Sequence, residues 1–177
     1  LNLKLIADIG LVGLPNAGKS TLLAALTNAK PKIADYPFTT LVPNLGVVQK
    51  DDGSLCKIAD IPGIIEGAHR GHGLGLSFLQ HIERVKAILF ILDVTGVDLN
   101  YTLDLLRSEL NTYNRELTEK PYYILLNKID LVDNDYVHEL KESLKDMHVL
   151  AISAATGEHI DEILLILDGL MELNGAT

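Results

Sequence analysis

Two glycines, a lysine and a serine stand at the spacing G-x-x-x-x-G-K-[ST] in residues 13–20, GLPNAGKS. Gly13 and Gly18 let the backbone curl so that several N–H groups point inward, and Lys19 adds a positive charge. The Ser20 hydroxyl is a hard oxygen ligand of the kind that Mg²⁺ prefers. The segment follows an apolar run and precedes a helical pattern, so it predicts a loop that holds the phosphates of a nucleoside triphosphate.

Two further segments carry oxygen ligands and a glycine. Residues 60–63, DIPG, follow a predicted strand, where Asp60 can hold a water on Mg²⁺ and Gly63 lets a backbone N–H approach a γ-phosphate. In the intervening stretch DYPFTTLVPN, Thr39 and Thr40 are candidates for a hydroxyl that binds Mg²⁺ only with the γ-phosphate present. Thr40 is favoured, and the alternative is that both threonines satisfy the loop backbone.

A base-reading site is predicted from NKID, residues 127–130. The two carboxylate oxygens of Asp130 suit the adjacent ring N–H and exocyclic NH₂ of guanine, a donor pair that adenine lacks. Asn127 can tie this loop to the phosphate loop, and the aliphatic stem of Lys128 can cover the base. In SAATGE, which begins at Ser153, the N–H of Ala154 can meet the guanine carbonyl oxygen.

These motifs give a full set of site predictions. Lys19, Thr40 and Gly63 are predicted to act in catalysis, and Ser20, Thr40 and Asp60 to hold Mg²⁺. The residues predicted to bind the nucleotide are Gly13, Pro15, Asn16, Ala17, Gly18, Lys19, Ser20, Thr21, Phe38, Thr39, Thr40, Asp60, Gly63, Asn127, Lys128, Asp130, Ser153, Ala154 and Ala155.

The elements that must position these loops alternate along the chain. Short apolar runs such as KAILFILDV and PYYILLNK predict buried strands, and NLGVVQ and SLCKIAD flank an Asp52-Gly53 turn and predict a hairpin. Helical periods follow, one through Leu74, Phe78, Ile82 and Val85 and another from Leu99 to Leu117. This order predicts a three-layer α/β/α domain with a mostly parallel six-stranded sheet and one antiparallel edge strand. Ligands of such sheets lie outside the carboxyl ends of the strands, where the motifs fall.

Composition limits the classes of function. The 177 residues suit one domain, are 47% hydrophobic, and contain no apolar run near the roughly 18 residues of a membrane span. The net charge of −9 argues against bulk electrostatic binding to nucleic acid. A single cysteine, Cys56, fits a reducing cytoplasm and is expected to be a core residue. The chain begins at Leu1, so we expect a segment of a longer protein.

The loop sequences GLPNAGKST, DYPFTTLVPNLGVV, DIPGIIEGAH and FLQHIER closely resemble those of the Obg (CgtA) GTPases. The resemblance covers nearly the whole chain, which would be a single Obg-type G domain over residues 1–177 without the flanking N- and C-terminal domains. It implies a Ras-like P-loop fold, slow hydrolysis of GTP to GDP, modest affinity and rapid exchange. It further implies a role in assembly of the large ribosomal subunit and in growth control, a response to ppGpp, a cytoplasmic location and a monomeric domain.

Ile64 follows DIPG where well-known switch proteins carry a water-orienting glutamine. Isoleucine cannot polarise water, so catalysis would rest on Mg²⁺, Lys19 and loop N–H groups, on a partner, or on K⁺. In several relatives an asparagine at the position of Asn16 helps to bind K⁺, and the alternative for Asn16 is a turn residue with a local hydrogen bond. Residues Glu66, His69, Arg70 and His72 lie nearby, and none is singled out as catalytic.

Three functions are compatible with these residues. A GTP-operated switch with weak catalysis is the leading hypothesis. A nucleotide-dependent scaffold that never cuts GTP is kept open by Ile64. A small-molecule kinase would need an acceptor pocket and usually an arginine-rich lid, which the sequence does not indicate.

Overall fold

A computed structural model of the chain describes residues 7–27, 32–33, 44–50, 52–61 and 85–175. The strands in these ranges are β1 Ile9–Val12, β2 Lys32–Ile33, β3 Asn44–Gln49, β4 Leu55–Asp60, β5 Ala87–Asp93, β6 Tyr122–Asn127 and β7 Val149–Ala151. The helices in these ranges are α1 Lys19–Thr27, α2 Leu99–Tyr113, α3 Arg115–Thr118, α4 Asn134–Ser143 and α5 Ile160–Gly175, with a 3-10 turn at Ile129–Leu131. None of the helices described is both long and apolar enough to cross a membrane.

The described strands form one sheet in the order β2-β3-β4-β1-β5-β6-β7. All pairings from β4 to β7 are parallel, while β3 is antiparallel to both β4 and β2. The predicted α/β class, with a mostly parallel sheet and one antiparallel strand, is confirmed. Two details differ from the prediction: β2 adds a seventh strand of two residues, and it pairs outside β3, so the antiparallel strand is second from the edge. A strand of two residues carries no apolar alternation by which the sequence could predict it.

The sheet separates two hydrophobic cores, which is the expected three-layer arrangement. Along β5, Ile88, Phe90 and Leu92 pack on the side that also holds Leu103, Leu106 and Leu110 of α2. The alternate residues Ala87, Leu89 and Ile91 pack on the opposite side with α1 and α5. Because both faces of β5 are covered, its sequence is continuously apolar rather than alternating.

The β3–β4 hairpin turns where the sequence predicts. Gly53 has a φ of 86°, in the left-handed region that glycine adopts without a steric penalty. Its N–H donates to the Lys50 carbonyl at 2.9 Å, and Asp52 Oδ1 accepts from the Ser54 N–H at 2.8 Å. On β4, Cys56 is fully buried and its burial raises the pKa of the thiol to about 12, as suits a core residue rather than a reactive one.

The predicted helix from Leu99 to Leu117 is interrupted at Asn114. This residue has an extended backbone (φ −161°, ψ 117°), and its side-chain oxygen accepts from the Glu116 N–H at 2.9 Å to cap α3. The apolar period continues across the break, since Leu110 and Leu117 are both buried. The period therefore predicts the buried face correctly but cannot show that asparagine ends one helix and begins the next. Of the helix predicted through Leu74, Phe78, Ile82 and Val85, only Val85 lies within the described residues. It is buried, but it belongs to no helix and stands two residues before β5.

Candidate nucleotide-binding site

The phosphate loop joins β1 to α1 and curls between two glycines. Gly18 has a φ of 103°, a conformation that suits glycine, and a Cβ at Gly13 would lie 2.6 Å from Ile91 Cγ2 and 2.7 Å from its carbonyl oxygen. Asn16 also adopts the left-handed conformation, with a φ of 69°. The loop and the start of α1 line a cavity of about 410 Å³, into which Lys128 also projects from the NKID loop. The sequence predicted this curled backbone at the N-terminus of a helix.

Lys19 lies between the phosphate loop and the end of β4. Its ammonium donates to the Gly13 carbonyl at 3.0 Å and lies 3.2 Å from Asp60 Oδ1. Asp60 is 7% exposed, and its Oδ1 has no further hydrogen-bond partner among the described residues. Burial raises the pKa of Asp60, and the neighbouring Lys19 offsets only part of that effect. A buried carboxylate oxygen with spare acceptor capacity fits the hard oxygen ligands that Mg²⁺ requires.

Asn127 connects three loops at the carboxyl ends of the strands. Its side chain is 2% exposed, donates from Nδ2 to the Ala17 carbonyl at 2.9 Å and accepts at Oδ1 from the Ala154 N–H at 3.0 Å. The expected tie between NKID and the phosphate loop is therefore present. The Ala154 N–H, assigned from the sequence to a guanine carbonyl, donates here to Asn127, and its role toward a base remains a prediction.

Asp130 stands exposed after β6 and is oriented by a buried serine. Ser153 Oγ donates to Asp130 Oδ1 at 2.7 Å and accepts from the Thr156 N–H at 3.1 Å. Ser153 itself is fully buried, so its hydroxyl holds the carboxylate in one orientation. Ala154 is buried beside it and Ala155 is exposed. The two loops that the sequence assigned to base recognition therefore lie together.

Asp93 is a member of this cluster that the sequence predictions did not include. It ends β5, and its Oδ2 pairs with Lys128 Nζ at 2.7 Å. Lys128 Nζ also donates to the Asn16 carbonyl at 2.8 Å. A signal was available, because Asp93 follows a buried strand at the same edge of the sheet as Asp60 and Asn127. Four predicted residues, Phe38, Thr39, Thr40 and Gly63, lie outside the described part of the chain, as does Ile64.

A family model described as 50S ribosome-binding GTPase matches residues 8–128, which include the phosphate loop, Asp60 and the start of NKID. This chain belongs to the 50S ribosome-binding GTPase family. The match extends over more than half of the chain and confirms that it is a P-loop G domain.

Curated relatives of this family member are named GTPase Obg. One from Synechocystis sp. is 54% identical over 167 residues, which cover 93% of this chain and 45% of the relative. The chain spans about half the length of the curated relatives it matches. The resemblance to Obg GTPases that the loop sequences predicted is confirmed.

Solved structures agree with the fold. A variant of Era from Aquifex aeolicus bound to GDP·AlF₄⁻ is 26% identical, with a TM-score of 0.66, over 90% of this chain and 55% of that one. The G domain of the T. maritima FeoB iron transporter has a TM-score of 0.64 at 24% identity, over 94% of this chain and 97% of that one. Together with the family match, they confirm the Ras-like α/β class.

Proposed function

We propose that this G domain binds GTP with Mg²⁺ and hydrolyses it slowly to GDP, as a molecular switch. The observation that carries the proposal is the pair of hydrogen bonds made by Asn127, which hold the phosphate loop and the SAATGE loop against NKID. The loop proposed to bind phosphate and the loop that carries Asp130 are thereby held side by side. That arrangement suits one nucleotide bound at both ends.

Guanine is the base that Asp130 suits. Ser153 donates to Oδ1, and the carboxylate retains acceptor capacity for the ring N–H and the NH₂ group of guanine. Adenine presents no such donor pair, so its binding would leave the carboxylate without its partners. Binding of ATP would remove water from the charged Asp130 carboxylate without giving it hydrogen-bond donors, and this free-energy cost accounts for discrimination against ATP.

Phosphate binding is proposed for the loop N–H groups, Lys19 and the N-terminus of α1. Ser20 and Asp60, with Thr40 as a further hydroxyl, would hold Mg²⁺, which when bound supplies positive charge beside the β- and γ-phosphates. The N–H of Gly63 would bind a γ-phosphate oxygen. Ile64 offers no group to orient water, so these electrostatic terms carry catalysis and the intrinsic rate is slow.

We expect guanine nucleotides to bind at least about 100-fold more tightly than ATP, because only guanine satisfies Asp130. Fluorescence competition with GTP, GDP, ppGpp and ATP in the presence of Mg²⁺ measures this ratio. Asp130→Asn should abolish the preference for guanine. The control is Asp133→Asn, which removes the same charge, because asparagine can cap α4 as aspartate does. Equal affinity for ATP and GTP would overturn the proposal.

The competing scaffold function makes a different prediction about turnover. A scaffold binds GTP without cutting it, whereas a slow GTPase releases phosphate in a single-turnover experiment with enzyme in excess. Stimulation by large ribosomal subunits, proposed for the full-length protein in the cytoplasm, is measured in the same assay. No phosphate release with or without subunits would favour the scaffold.

K⁺ is proposed as a second cation, held in part by Asn16. The left-handed backbone of Asn16 is fixed by the bond from Lys128 to its carbonyl, which leaves the side chain at the cavity edge. A tight turn alone would also suit asparagine, and the two roles differ in cation dependence. We expect GTP hydrolysis to fall about tenfold when Na⁺ replaces K⁺, and Asn16→Ser, which keeps a turn-forming residue, to lose that dependence. Equal rates in the two salts at several concentrations would exclude the K⁺ role.

A further inference from the structure

Asp93 is held in one orientation at the end of β5. Its Oδ1 accepts from the Thr95 N–H at 2.8 Å and from Thr95 Oγ1 at 2.6 Å. Its Oδ2 lies 2.7 Å from Lys128 Nζ, and about a quarter of each side chain is exposed. Burial alone would raise the pKa of Asp93, but hydrogen bonds from Lys128 and Thr95 outweigh it and lower that pKa. The carboxylate is therefore preorganised and charged, so the ion pair loses little side-chain entropy.

Lys128, in the NKID loop, links Asp93 to the phosphate loop. Its own backbone is left-handed, with a φ of 72°, and its ammonium donates to the carbonyl of Asn16, which is left-handed as well. Such conformations are uncommon for residues other than glycine and persist where the surroundings fix them. The chain of contacts from Asp93 through Lys128 to Asn16 thus runs from a strand end, through the base-reading loop, into the phosphate loop.

We propose that Asp93 is a positioning residue for guanine-nucleotide binding, which acts through Lys128 to hold the base-reading loop and the phosphate loop in their binding arrangement. The proposal rests on the proposed function of the site. The hydrogen bonds described for the Asp93 carboxylate go to Thr95 and Lys128, and of these two residues only Lys128 reaches the phosphate loop, so the carboxylate acts on that loop through Lys128. Its removal should weaken GDP and GTP equally, because the restraint does not distinguish a γ-phosphate.

The first test replaces Asp93 by asparagine, which keeps an acceptor for Thr95 and removes the charge that Lys128 pairs with. We expect GDP and GTP affinity to fall about five- to tenfold, mainly through faster dissociation, with the guanine-to-adenine preference unchanged. The matched control is Asp98→Asn, which removes one negative charge five residues further along the chain and still caps α2. Stopped-flow release of a fluorescent GDP measures the dissociation rates, and the control should match the wild type.

A double-mutant cycle separates positioning from a general structural effect. Lys128→Met should weaken binding by itself, and Asp93→Asn in that background should cost no more than a further twofold or so. If Asp93→Asn does not fold, Thr95→Val removes the hydroxyl that orients Asp93 and should speed GDP release about twofold.

The outcomes that overturn the inference are distinct from those that overturn the function. Unchanged dissociation in Asp93→Asn, or losses that add in the double variant, would refute the positioning role while leaving guanine-nucleotide binding in place. Unchanged GDP release in Thr95→Val would refute it when Asp93→Asn cannot be studied. A wild-type chain that binds no GDP would remove the proposed function and this inference together.

Discussion

Asn127→Ala is expected to weaken guanine-nucleotide binding at least about 100-fold and to lower the free energy of unfolding by about 2–4 kcal/mol. The side chain satisfies the Ala17 carbonyl and the Ala154 N–H, and both alanines are buried, at 3% and 6% exposure. Alanine leaves these backbone groups without their partner, each at a cost of about 1–3 kcal/mol. The phosphate loop and the SAATGE loop also lose the contact that sets their separation.

Two further variants test whether the loss of affinity and stability in Asn127→Ala comes from its two hydrogen bonds. Asn127→Asp keeps the acceptor for Ala154 but places an oxygen against the Ala17 carbonyl, so it should also be strongly destabilising. Asn114→Ala removes an exposed cap of α3 and should cost about 1 kcal/mol with no change in affinity. Urea unfolding followed by circular dichroism suits a chain without tryptophan, and fluorescent GDP reports affinity. Affinity within threefold of wild type for Asn127→Ala would contradict the prediction.

Much of the fold and of the site could be predicted because its signals are local. The apolar run of β5 predicts a strand covered on both faces, and the glycines of residues 13–20 predict a tightly curled backbone. The polar residues at the ends of β4 and β6 can be grouped from the sequence, since parallel strands bring their carboxyl ends to one edge of the sheet. The link from Asn127 to the phosphate loop, 110 residues away, follows from that rule and from the capacity of an amide to donate and accept.

The features that escaped prediction depend on pairings between distant residues or on very short segments. Lys128 pairs with Asp93, 35 positions earlier, and nothing in the local sequence of either residue specifies the other. β2 consists of two residues that pair with the outer edge of β3, and so short a segment carries no strand pattern of its own. Asn114 lies within a continuous helical period of apolar residues, so the sequence alone does not show that it ends α2 and caps α3. Its extended backbone shows both.

Asp60→Asn is expected to stabilise the nucleotide-free protein at neutral pH while it impairs Mg²⁺-dependent binding. Burial holds the pKa of Asp60 above its value in the unfolded chain, and Lys19 offsets only part of that effect. Because the folded protein binds the Asp60 proton more tightly than the unfolded chain does, protonation of Asp60 stabilises the fold. This stabilisation is fully present below the pKa of Asp60 in the unfolded chain and is lost as pH rises through its raised pKa in the folded protein. Asparagine does not titrate, so we expect the melting temperature of the variant to exceed that of wild type at pH 7 and the two melting temperatures to converge in acid.

The same substitution should affect binding in the opposite direction. Asparagine cannot supply the negative charge that holds a water on Mg²⁺, and losing such an outer ligand weakens metal-dependent binding about 10- to 100-fold. We therefore expect Asp60→Asn to bind GDP like wild type in EDTA and to gain little when Mg²⁺ is added. Calorimetric titration with and without Mg²⁺ separates the two conditions.

Asp8→Asn is the matched control at the other end of the sheet. Asp8 precedes β1, accepts from the Lys57 N–H at 2.9 Å, and lies at the amino end of the strand that leads to the phosphate loop. Its asparagine can still accept that hydrogen bond, so neither a neutral-pH gain in melting temperature nor a loss of Mg²⁺ dependence should follow. If Asp60→Asn melts at a lower temperature than wild type at pH 7, the ion pair between Asp60 and Lys19 stabilises the fold by more than burial of the Asp60 charge destabilises it. An Mg²⁺ response equal to that of wild type would instead remove Asp60 from the metal site.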